Sequence, residues 1–387
     1  MIILQIILWT CVALVFHTYV AYPLILKLYC KNKTSFKEKS YFAPNVSIIM
    51  SLFNEEDVIA AKIDSIINSD YPTDKIQLII GSDNSSDKTD TIVNDYANKH
   101  KFIEFISFSE RQGKSNVINA LINKAKGEIL ILSDANVMFD KNTIKELVKP
   151  FADERIGLVD TRMTNTGIKK EGISIQEKSY ISREVMIKNC EGLLWGTMMG
   201  PFGGCFAIRT QLYSPVPVNF LVDDFYICMK VLEKKYRAIN RLEAVVYEDV
   251  SNNLSDEFRR KIRIATGNFQ NLWEFKNLLW PPFTGLAFSF LSHKILRWLT
   301  PLFMIFAYIS NFLLAFCYEF YFYMLLAYNF IFILLIADFL LKKFKIHNIF
   351  LRFITHFMSM NLALLIGMFK AMKGVKTNVW KPTKRNQ

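Results

Sequence analysis

Three long runs without a formal charge constrain this chain more than any other feature of its sequence. Residues 2–26 contain no Asp, Glu, Lys or Arg, and residues 299–318 and 320–337 are separated by a single glutamate. A helix of about 20 apolar residues is long enough to cross a hydrocarbon core roughly 30 Å thick. We therefore predict a transmembrane anchor over residues 1–27 and a transmembrane helical hairpin over residues 299–341.

Basic residues in the short flanks predict how these helices are oriented, because lysine and arginine accumulate on the cytoplasmic side. Such residues follow the first and the third run. No basic residue precedes the first run, which favours an uncleaved anchor over a signal peptide. We expect residues 28–298 to be cytoplasmic, with residues 271–298 forming an interfacial segment. The flanking residues are Lys27, Lys31, Lys33, Lys342, Lys343 and Lys345.

A fourth apolar run, residues 353–369, leaves the C-terminal topology open. A simple fourth crossing would place the basic tail outside the cell, against the charge rule. Either the run is re-entrant or interfacial, or the tail charge does not set the topology. We treat residues 342–387 as a further membrane or re-entrant helix with a basic tail, and we expect that tail to be cytoplasmic. Its basic residues are Lys370, Lys373, Lys376, Lys381, Lys384 and Arg385.

Composition argues for a membrane partner and against a nucleic-acid partner. The formal net charge is +12 and the mean hydropathy is +0.19. Many basic residues flank the apolar runs, where anionic lipid is the simpler partner, and the sequence contains no recognised nucleic-acid-binding module. The six cysteines show no paired spacing, which predicts reduced thiols without a metal site or a disulfide framework.

Between the anchor and the hairpin, short β-type runs alternate with amphipathic helical runs. This alternation predicts an α/β domain over residues 28–270 with a parallel sheet covered on both faces. A looser second half follows, with a glycine-rich passage between a helix and a strand. The predicted strands are residues 46–50, 77–80, 101–107, 128–132, 158–161 and 205–209, and the predicted helices are residues 55–68, 87–99, 114–125 and 173–188, with another beginning near residue 223.

Polar residues follow the strands of the first half, so we expect them at one rim of the sheet, where open α/β folds bind ligands. A group of acids on one rim repels itself unless a cation binds there. Mg²⁺ or Mn²⁺ bridging phosphate oxygens is the natural candidate, which points to a nucleotide-diphosphate ligand. No Gly-x-Gly-x-x-Gly and no complete P-loop follows a strand, which argues against dinucleotide oxidoreduction and P-loop hydrolysis. The residues are Asn54, Glu55, Glu56, Asp83, Asp87, Lys114, Asp134 and Asn136, with Asp223 and Asp224 further on.

Together these motifs resemble a membrane-anchored family 2 glycosyltransferase, whose catalytic domain has the GT-A fold. The resemblance implies that Phe53-Asn54-Glu55-Glu56 and Asp83-Asn84-Ser85-Ser86-Asp87 contact the nucleotide and that Lys114 lies near the donor. Asp134-Ala135-Asn136 is similar to the Asp-x-Asp that holds the metal and the diphosphate. Here Asn136 replaces the second acid, and an amide oxygen can ligate a hard cation but adds no charge.

The same resemblance extends to the reacting centre. Asp223-Asp224 stands where the family has Glu-Asp, which implies that Asp224 is the general base and that the sugar is transferred with inversion. Gly203-Gly204-Cys205 resembles the acceptor side. Processive members carry Gln-x-x-Arg-Trp; at that place Arg263 keeps the arginine, and Lys294-Ile295-Leu296-Arg297-Trp298 is a later near-match.

Each motif also has a purely structural explanation. Asp83 and Asp87 suit turns and helix starts, Glu55 and Glu56 suit a first helical turn, and the basic residues near Arg263 suit a membrane surface. We predict an inverting glycosyltransferase of the hexosyltransferase class in the cell membrane. It would use Mg²⁺ or Mn²⁺ and move a sugar from a nucleotide-diphosphate sugar to a lipid-linked or glycan acceptor in cell-surface polysaccharide synthesis. A processive polysaccharide synthase and a catalytically weak nucleotide-sugar-binding scaffold remain the alternatives.

Overall fold

A mixed sheet lies at the centre of the chain, in the order β3-β2-β1-β4-β7-β6-β8-β5. The structure is a computed structural model and describes residues 1–31, 33–34, 42–167, 173–249, 253–344 and 346–375. The strands are β1 Val46–Leu52, β2 Ile76–Ser82, β3 Ile103–Ser107, β4 Ile129–Ser133, β5 Val137–Phe139, β6 Ile156–Thr166, β7 Cys205–Arg209 and β8 Arg237–Asp249.

The first half of the sheet is parallel, as the sequence predicts, and the second half is mixed. Strand β1 pairs in parallel with β2 and with β4, and β2 pairs in parallel with β3. Strand β7 runs antiparallel to both β4 and β6. The prediction of a parallel sheet is confirmed for the alternating first half, and the looser second half adds both parallel and antiparallel pairs. The chain enters β7 from the glycine-rich passage and not from a crossover helix, so no βαβ unit fixes its direction.

Helices cover both faces of the sheet, because its strands are apolar on both sides. In β1, Ile48 and Met50 pack into the core on one face with α3, and Ile49 packs into the core on the other face with α5. The helices are α1 Ile2–Phe16, α2 Tyr22–Tyr29, α3 Ile59–Ile67, α4 Thr89–Lys99, α5 Lys114–Ile122, α6 Thr143–Val148, α7 Ser174–Trp195, α8 Asp223–Glu233, α9 Leu254–Phe275, α10 Gly285–Ser289, α11 Leu296–Ala315, α12 Glu319–Lys343 and α13 Ile349–Met372.

Four helical segments are long and apolar enough to cross a membrane: Ile2–Tyr29, Gly285–Ala315, Glu319–Lys343 and Ile349–Met372. Single π-helical turns join α1 to α2 and α10 to α11. The first and third segments lie where the sequence predicts them. The second begins at Gly285, so half of the predicted interfacial segment is part of this long helical element. The tail residues Lys376, Lys381, Lys384 and Arg385, and Lys345, lie outside the described residues.

Buried polar contacts join the membrane helices to the α/β domain. The Tyr22 hydroxyl donates to Glu191 Oε1 of α7 at 2.8 Å. His293 of the second segment contacts Glu191 through Nδ1 at 2.8 Å and Glu184 through Nε2 at 3.1 Å. Helix α13 packs against α9, where a Cβ added to Gly367 would lie 2.4 Å from the Ala265 Cβ. The α/β domain therefore sits directly against the helices that could span the membrane.

The structure joins Cys30 to Cys190 by a disulfide, 160 residues apart in sequence. The prediction of six reduced thiols is therefore wrong for this pair. The two residues meet because α2 packs against α7, a tertiary contact that cysteine spacing could not reveal. Cys11, Cys205, Cys228 and Cys317 are free thiols.

Candidate active site

A cavity of about 940 Å³ opens at the carboxyl ends of the parallel strands and continues to the membrane helices. Its size suits a drug-sized ligand or larger. Most predicted site residues line it. These are Asn54, Glu55, Asp83, Lys114, Asp134, Asn136, Gly203, Gly204, Asp223, Asp224 and Arg263. Glu56, Asp87 and Cys205 are not among its lining residues.

The polar residues after β1 and β2 tie two loops together. Asn54 has a left-handed backbone with φ of 55°, and its Oδ1 accepts from the Ser86 amide at 2.8 Å. The Glu56 amide donates to Asp87 Oδ2 at 3.1 Å, and Glu56 Oε2 accepts from the Lys88 amide at 3.0 Å. The structure thus engages Glu56 and Asp87 in loop contacts beside the cavity, and we propose no direct donor contact for them.

Asp83 fixes the loop that leads to Lys114. Its side chain is buried, and its two carboxylate oxygens accept from the amides of Gln112 at 2.6 Å and Gly113 at 2.9 Å. Gly113 caps the start of α5 with φ of 88°, a conformation that glycine adopts without strain. The loop therefore delivers Lys114, the first residue of α5, into the cavity at a fixed place.

Lys114 connects the two acidic motifs of the site. Its Nζ lies 2.6 Å from Asp134 Oδ1 and 4.0 Å from Asp223 Oδ2. Burial opposes the charge on Lys114, but the carboxylates of Asp134 and Asp223 outweigh it and raise the pKa of the lysine. Lys114 is therefore held as a cation between residues that are far apart in sequence.

The buried side chain of Lys62 stabilises the turn that carries Asp134. The Lys62 ammonium donates to Ser133 Oγ at 2.8 Å and to the Val137 carbonyl, and it lies 3.5 Å from the centre of the Phe139 ring. These contacts lie on both sides of Asp134-Ala135-Asn136 and hold the turn between β4 and β5. Burial lowers the pKa of Lys62 to about 7. Sequence reasoning missed Lys62, because a lysine within an amphipathic helix looks like a surface residue.

Glu248 is a second residue that the sequence did not reveal. Strand β8 pairs with β5 so that Glu248 lies opposite Val137, and Asn136 Nδ2 donates to Glu248 Oε1 at 3.2 Å. This hydrogen bond fixes the rotation of the amide and turns its oxygen away from Glu248. The contact compensates in part for the missing second acid, because it brings a carboxylate to the Asp134 turn.

These residues fit a divalent cation that is shared with a ligand. Among the described residues, no group of three or more His, Cys, Asp or Glu side chains could hold a metal ion on its own. Mg²⁺ is commonly bound by one or two carboxylates together with substrate phosphates. The Asp134 carboxylate already accepts one cation, Lys114, and Asn136 offers an amide oxygen beside it. Asp134 and Asn136 therefore suit a metal that phosphate oxygens complete.

Asp224 has the properties of a base that works near neutral pH. Burial and, secondly, the neighbouring Asp223 raise the pKa of Asp224 to about 7. Its Oδ1 accepts from the Phe225 amide at 2.7 Å, at the start of α8.

The glycine loop allows Asp224 to approach the backbone closely. Gly203 has φ of +82°, and a Cβ at this residue would lie 2.3 Å from Asp224 Oδ2. Lys188 contacts the same loop through Phe202. Its Nζ lies 3.4 Å from the centre of the Phe202 ring and 2.7 Å from Asp160 Oδ2. Glycine is needed here for both its backbone conformation and its missing side chain.

Cys205 does not take part in the acceptor side that the sequence predicts. Its side chain is fully buried in β7, opposite Ser133 of β4. Burial raises the pKa of the Cys205 thiol to about 12. The Cys205 side chain packs in the core and does not line the cavity, whereas the two residues before it, Gly203 and Gly204, do line it.

Two arginines complete the walls of the cavity. The Arg111 guanidinium lies 3.6 Å from the centre of the Phe53 ring, at the end of the cavity near β1. Arg263 Nη1 donates to the Leu221 carbonyl at 3.2 Å, just before α8. Burial and the charge of Arg260 lower the pKa of Arg263 to about 10, so an anion in the cavity would stabilise its charge. Arg111 carries no sequence motif and was missed.

The α/β domain is similar in sequence to known glycosyltransferases. The family model for glycosyl transferase family 2 matches residues 47–215, which hold β1 to β7 and most of the site. The chain is 24% identical over 254 residues to a probable glycosyltransferase, YdaM, of Bacillus subtilis (strain 168). It is 23% identical over 247 residues to a beta-monoglucosyldiacylglycerol synthase of Trichormus variabilis. Over residues 47–215 the chain is similar to glycosyltransferase family 2.

The curated relatives extend beyond the region that they share with this chain, which spans little more than half of their length. The matches cover 62% of this chain and 58% of YdaM, and 63% of this chain and 53% of the synthase. A solved structure is similar over a longer region. The mannosyltransferase PcManGT from Pyrobaculum calidifontis, in complex with GDP-Man and Mn²⁺, has a TM-score of 0.71 at 22% identity over 95% of this chain and 99% of that chain. This likeness shows that the α/β domain has the GT-A fold.

Proposed function

We propose that this glycosyltransferase moves a sugar from a nucleotide-diphosphate sugar to an acceptor held at the membrane surface, with inversion at the anomeric carbon. One observation carries the proposal: the acids, Lys114 and the glycine loop line a single cavity that continues to the membrane helices. The donor would enter between Asn54 and Asp83 at the strand ends, and the acceptor would approach from the side of the helices.

In this proposal Asp224 is the general base. An acceptor hydroxyl loses its proton to the Asp224 carboxylate as its oxygen bonds to the anomeric carbon. The bond from that carbon to the diphosphate breaks, and its electron pair leaves with the nucleoside diphosphate. The raised pKa of Asp224 makes it a stronger base than an ordinary aspartate, and a catalytic pKa near the working pH is favourable for proton transfer.

The charge on the departing diphosphate is the main electrostatic demand of the reaction. Lys114 and Arg263 line the cavity and supply fixed positive charge there. Asp134 and Asn136 would hold Mg²⁺ or Mn²⁺, as the Mn²⁺ in the PcManGT complex suggests by analogy. When bound, such a metal neutralises charge on the phosphate oxygens.

The membrane setting supports a cytoplasmic catalytic domain. Lys27 lies in the last turn of the first candidate span, Lys31 and Lys33 follow that span, and Lys342 and Lys343 end the third. Both flanks belong on the cytoplasmic side by the charge rule. The α/β domain would then face the cytoplasm, beside the membrane surface where the acceptor lies.

The aromatic residues near the cavity favour a single transfer over processive synthesis. Trp298 lines the cavity, but it is only 4% exposed and packs edge-on against Phe225 with 5.6 Å between ring centroids. Trp273 is exposed and lies away from the cavity. Neither ring therefore presents a free face inside the cavity on which a growing polymer could stack.

Donor binding tests the proposal with purified full-length protein in detergent. A panel of UDP-, GDP- and dTDP-sugars is added with and without Mn²⁺ or Mg²⁺, and the thermal unfolding midpoint is measured. A ligand that binds only the folded protein raises this midpoint. We expect at least one donor to stabilise the protein, and only when metal is present.

Two variants make the donor test specific to the Asp134 turn. Asp134→Ala should abolish the metal-dependent stabilisation. Asp74→Ala, which removes an exposed carboxylate in a surface turn, should leave it unchanged. Metal-dependent stabilisation that survives in Asp134→Ala would place the metal elsewhere, and no stabilisation of the wild type by any donor would contradict the proposed function.

A further inference from the structure

The membrane end of the cavity contains more positive than negative charge. Arg183 of α7 and Lys294 and Arg297 of the second candidate span line this end, together with the carboxylate of Glu184. Glu184 accepts a hydrogen bond from Arg297, and its Oε2 lies 3.4 Å from Lys294 Nζ. The Glu184 carboxylate therefore pairs with two of the three cations, Lys294 and Arg297. Arg183 adds a positive charge that this carboxylate does not pair.

Arg183 is the clearest sign that an anion belongs here. It is exposed and, among the residues that the structure describes, it makes no ion pair within 4.0 Å. Partial burial and the nearby charge of Arg297 lower the pKa of Arg183, against a weaker opposite effect of Glu184. An anion bound between Arg183 and Arg297 would relieve this repulsion.

The neighbouring charges do not neutralise the excess. Glu177 of α7 also lines the cavity, but His356 Nε2 lies 2.7 Å from its Oε1 and Lys261 Nζ lies 3.5 Å from its Oε2. Lys188 is paired with the buried Asp160. These carboxylates already have cationic or histidine partners, so none is available to offset Arg183.

Apolar side chains of the candidate membrane spans line the same end. Tyr19 comes from the first span, and Phe353, Phe357, Met360 and Leu364 come from α13. Tyr19 and Phe357 pack edge to face with 5.4 Å between ring centroids. A free nucleotide sugar has no apolar tail to place against these side chains. A ligand that carries both an anionic group and a hydrocarbon chain matches both parts of the surface.

We propose that Arg183, Lys294 and Arg297 bind the phosphate of an anionic lipid acceptor whose hydrocarbon chain lies along α13. This rests on the proposed function, because it names the acceptor class for the same cavity. Arginine suits the role, since its planar guanidinium can donate two parallel hydrogen bonds to a phosphate.

Asp224, the proposed base at the other end of the cavity, further restricts the chemical class of the acceptor. A phosphate monoester oxygen is largely ionised near pH 7 and needs no base to become a nucleophile. Asp224 would therefore act on a hydroxyl of the same lipid, on a glycerol or a sugar beyond the phosphate. A lipid phosphate without such a hydroxyl should bind and compete with the acceptor without receiving sugar.

The test uses the full chain in a neutral detergent and three probes. Dioleoylphosphatidic acid carries both phosphate and chains, dioleoylglycerol carries the chains and a free hydroxyl without the phosphate, and inorganic phosphate carries the anion alone. Dissociation constants are measured by thermophoresis for the wild type, Arg183→Gln and Arg259→Gln. Arg259 lies on the outer side of α9, is paired with Asp256 and does not line the cavity, so it controls for general surface charge.

We expect phosphatidic acid to bind at least about tenfold more tightly than dioleoylglycerol or inorganic phosphate, as a charged hydrogen bond allows. Arg183→Gln should remove most of this preference, and Arg259→Gln should keep it. Three results would each overturn the inference. Dioleoylglycerol could bind as tightly as phosphatidic acid, or inorganic phosphate could bind as tightly as phosphatidic acid. Arg183→Gln and Arg259→Gln could also lose affinity for phosphatidic acid to the same extent. Nucleotide-sugar binding in the same samples reports on the proposed function separately, because Arg183 is not part of the donor site.

Discussion

At the scale of single residues, Asp224 makes the rate of sugar transfer depend on pH. The carboxylate must be ionised to act as a base, and its pKa is about 7. We therefore expect kcat/KM to rise about tenfold per pH unit below pH 7 and to level off above it, since kcat/KM reports ionisations of the free enzyme. A profile that is flat between pH 5.5 and 8.5 would remove Asp224 from this role.

The same ionisation predicts how stability changes with pH. A carboxyl whose pKa is higher in the folded than in the unfolded state binds more protons when folded, so stability falls as pH rises between the two values. For Asp224 this window runs from the ordinary value of 3.8 to about 7. Asp224→Asn should lack this loss and should unfold at a higher temperature than the wild type at pH 8. A lower midpoint for the variant at that pH would contradict the raised pKa.

Gly203 provides a second test at this scale. In Gly203→Ala the new Cβ would meet Asp224 Oδ2 at 2.3 Å, and the base would have to move. A displacement of about 1 Å can cost on the order of 100-fold in rate. We expect transfer to fall by about that factor while donor binding is retained.

Gly374→Ala is a control that distinguishes the effect of the Asp224 contact from the effect of backbone strain. Gly374 has φ of +83°, nearly the value at Gly203, but a Cβ there would meet nothing within 4 Å. Gly374→Ala therefore pays a similar conformational cost, of order 1–3 kcal/mol, without touching Asp224. If both variants lose transfer equally, strain and not the Asp224 contact explains the loss.

Local motifs predicted the acidic residues of the site, but not the residues that hold those acids and their loops in place. Asp134, Asp223 and Asp224 could be selected from sequence because acids at strand ends and helix starts stand out from their surroundings. Lys62, Lys188, Glu248 and Arg183 could not be selected. Lys62, Lys188 and Glu248 work through partners that tertiary packing brings close, whereas Arg183 lines a cavity that only tertiary packing forms. None of the four has a local pattern that differs from that of an ordinary surface residue.

At the scale of helices and strands, α13 is coupled to the catalytic domain through Gly367. A Cβ at this glycine would lie 2.4 Å from the Ala265 Cβ and 2.9 Å from the Thr266 amide nitrogen of α9. Gly367→Leu should push α13 away from α9 and disrupt the acceptor end of the cavity. We expect acceptor-dependent transfer to be lost while donor binding persists, measured on the same detergent preparation.

A control on the same helix shows whether this effect is specific. Leu362 is 51% exposed on α13, so Leu362→Phe enlarges a side chain that does not face α9. It should leave transfer unchanged. Equal loss in the two variants would mean that α13 tolerates no enlarged side chain and that its contact with α9 has no particular role.

The elements themselves were largely predictable, and their ends were not. The apolar runs that form β1, β2, β4 and β7 were predicted because they are short and buried. Predicted helices at residues 55 and 87 begin instead at Ile59 and Thr89. The polar residues before them bond to the opposite loop, and Asp87 also accepts from the Thr89 amide at the start of α4. The cross-loop contacts depend on the neighbouring strand. Strand β8 was missed because its charged residues interrupt the β-type pattern.

At the scale of the whole molecule, Cys317 tests the orientation in the membrane. This free thiol is exposed in the turn between α11 and α12, on the side of the membrane opposite to a cytoplasmic catalytic domain. A membrane-impermeant maleimide should label it in intact cells, and Cys317→Ser should abolish the labelling. Labelling that requires permeabilised cells would reverse the proposed topology.

The course of the chain after the third span could not be predicted from sequence, because charge and hydropathy disagree there. Helix α13 is long and apolar enough to cross the membrane, yet it also packs on α9 and lines the cavity. Its polar residues His356 and Asn361 face the cavity, which explains why the sequence pattern of this run is weaker than that of the others.

Asp224 is proposed as the base in a cavity that holds both substrates, and the reaction depends on this role more than on any other. The most direct measurement compares donor binding and transfer in Asp224→Asn and in Glu233→Gln, which removes an exposed carboxylate at the far end of the same helix. We predict that both variants bind the donor with metal, that Glu233→Gln transfers sugar normally, and that Asp224→Asn loses about 10²- to 10⁴-fold in rate. Transfer by Asp224→Asn at the wild-type rate would contradict the account.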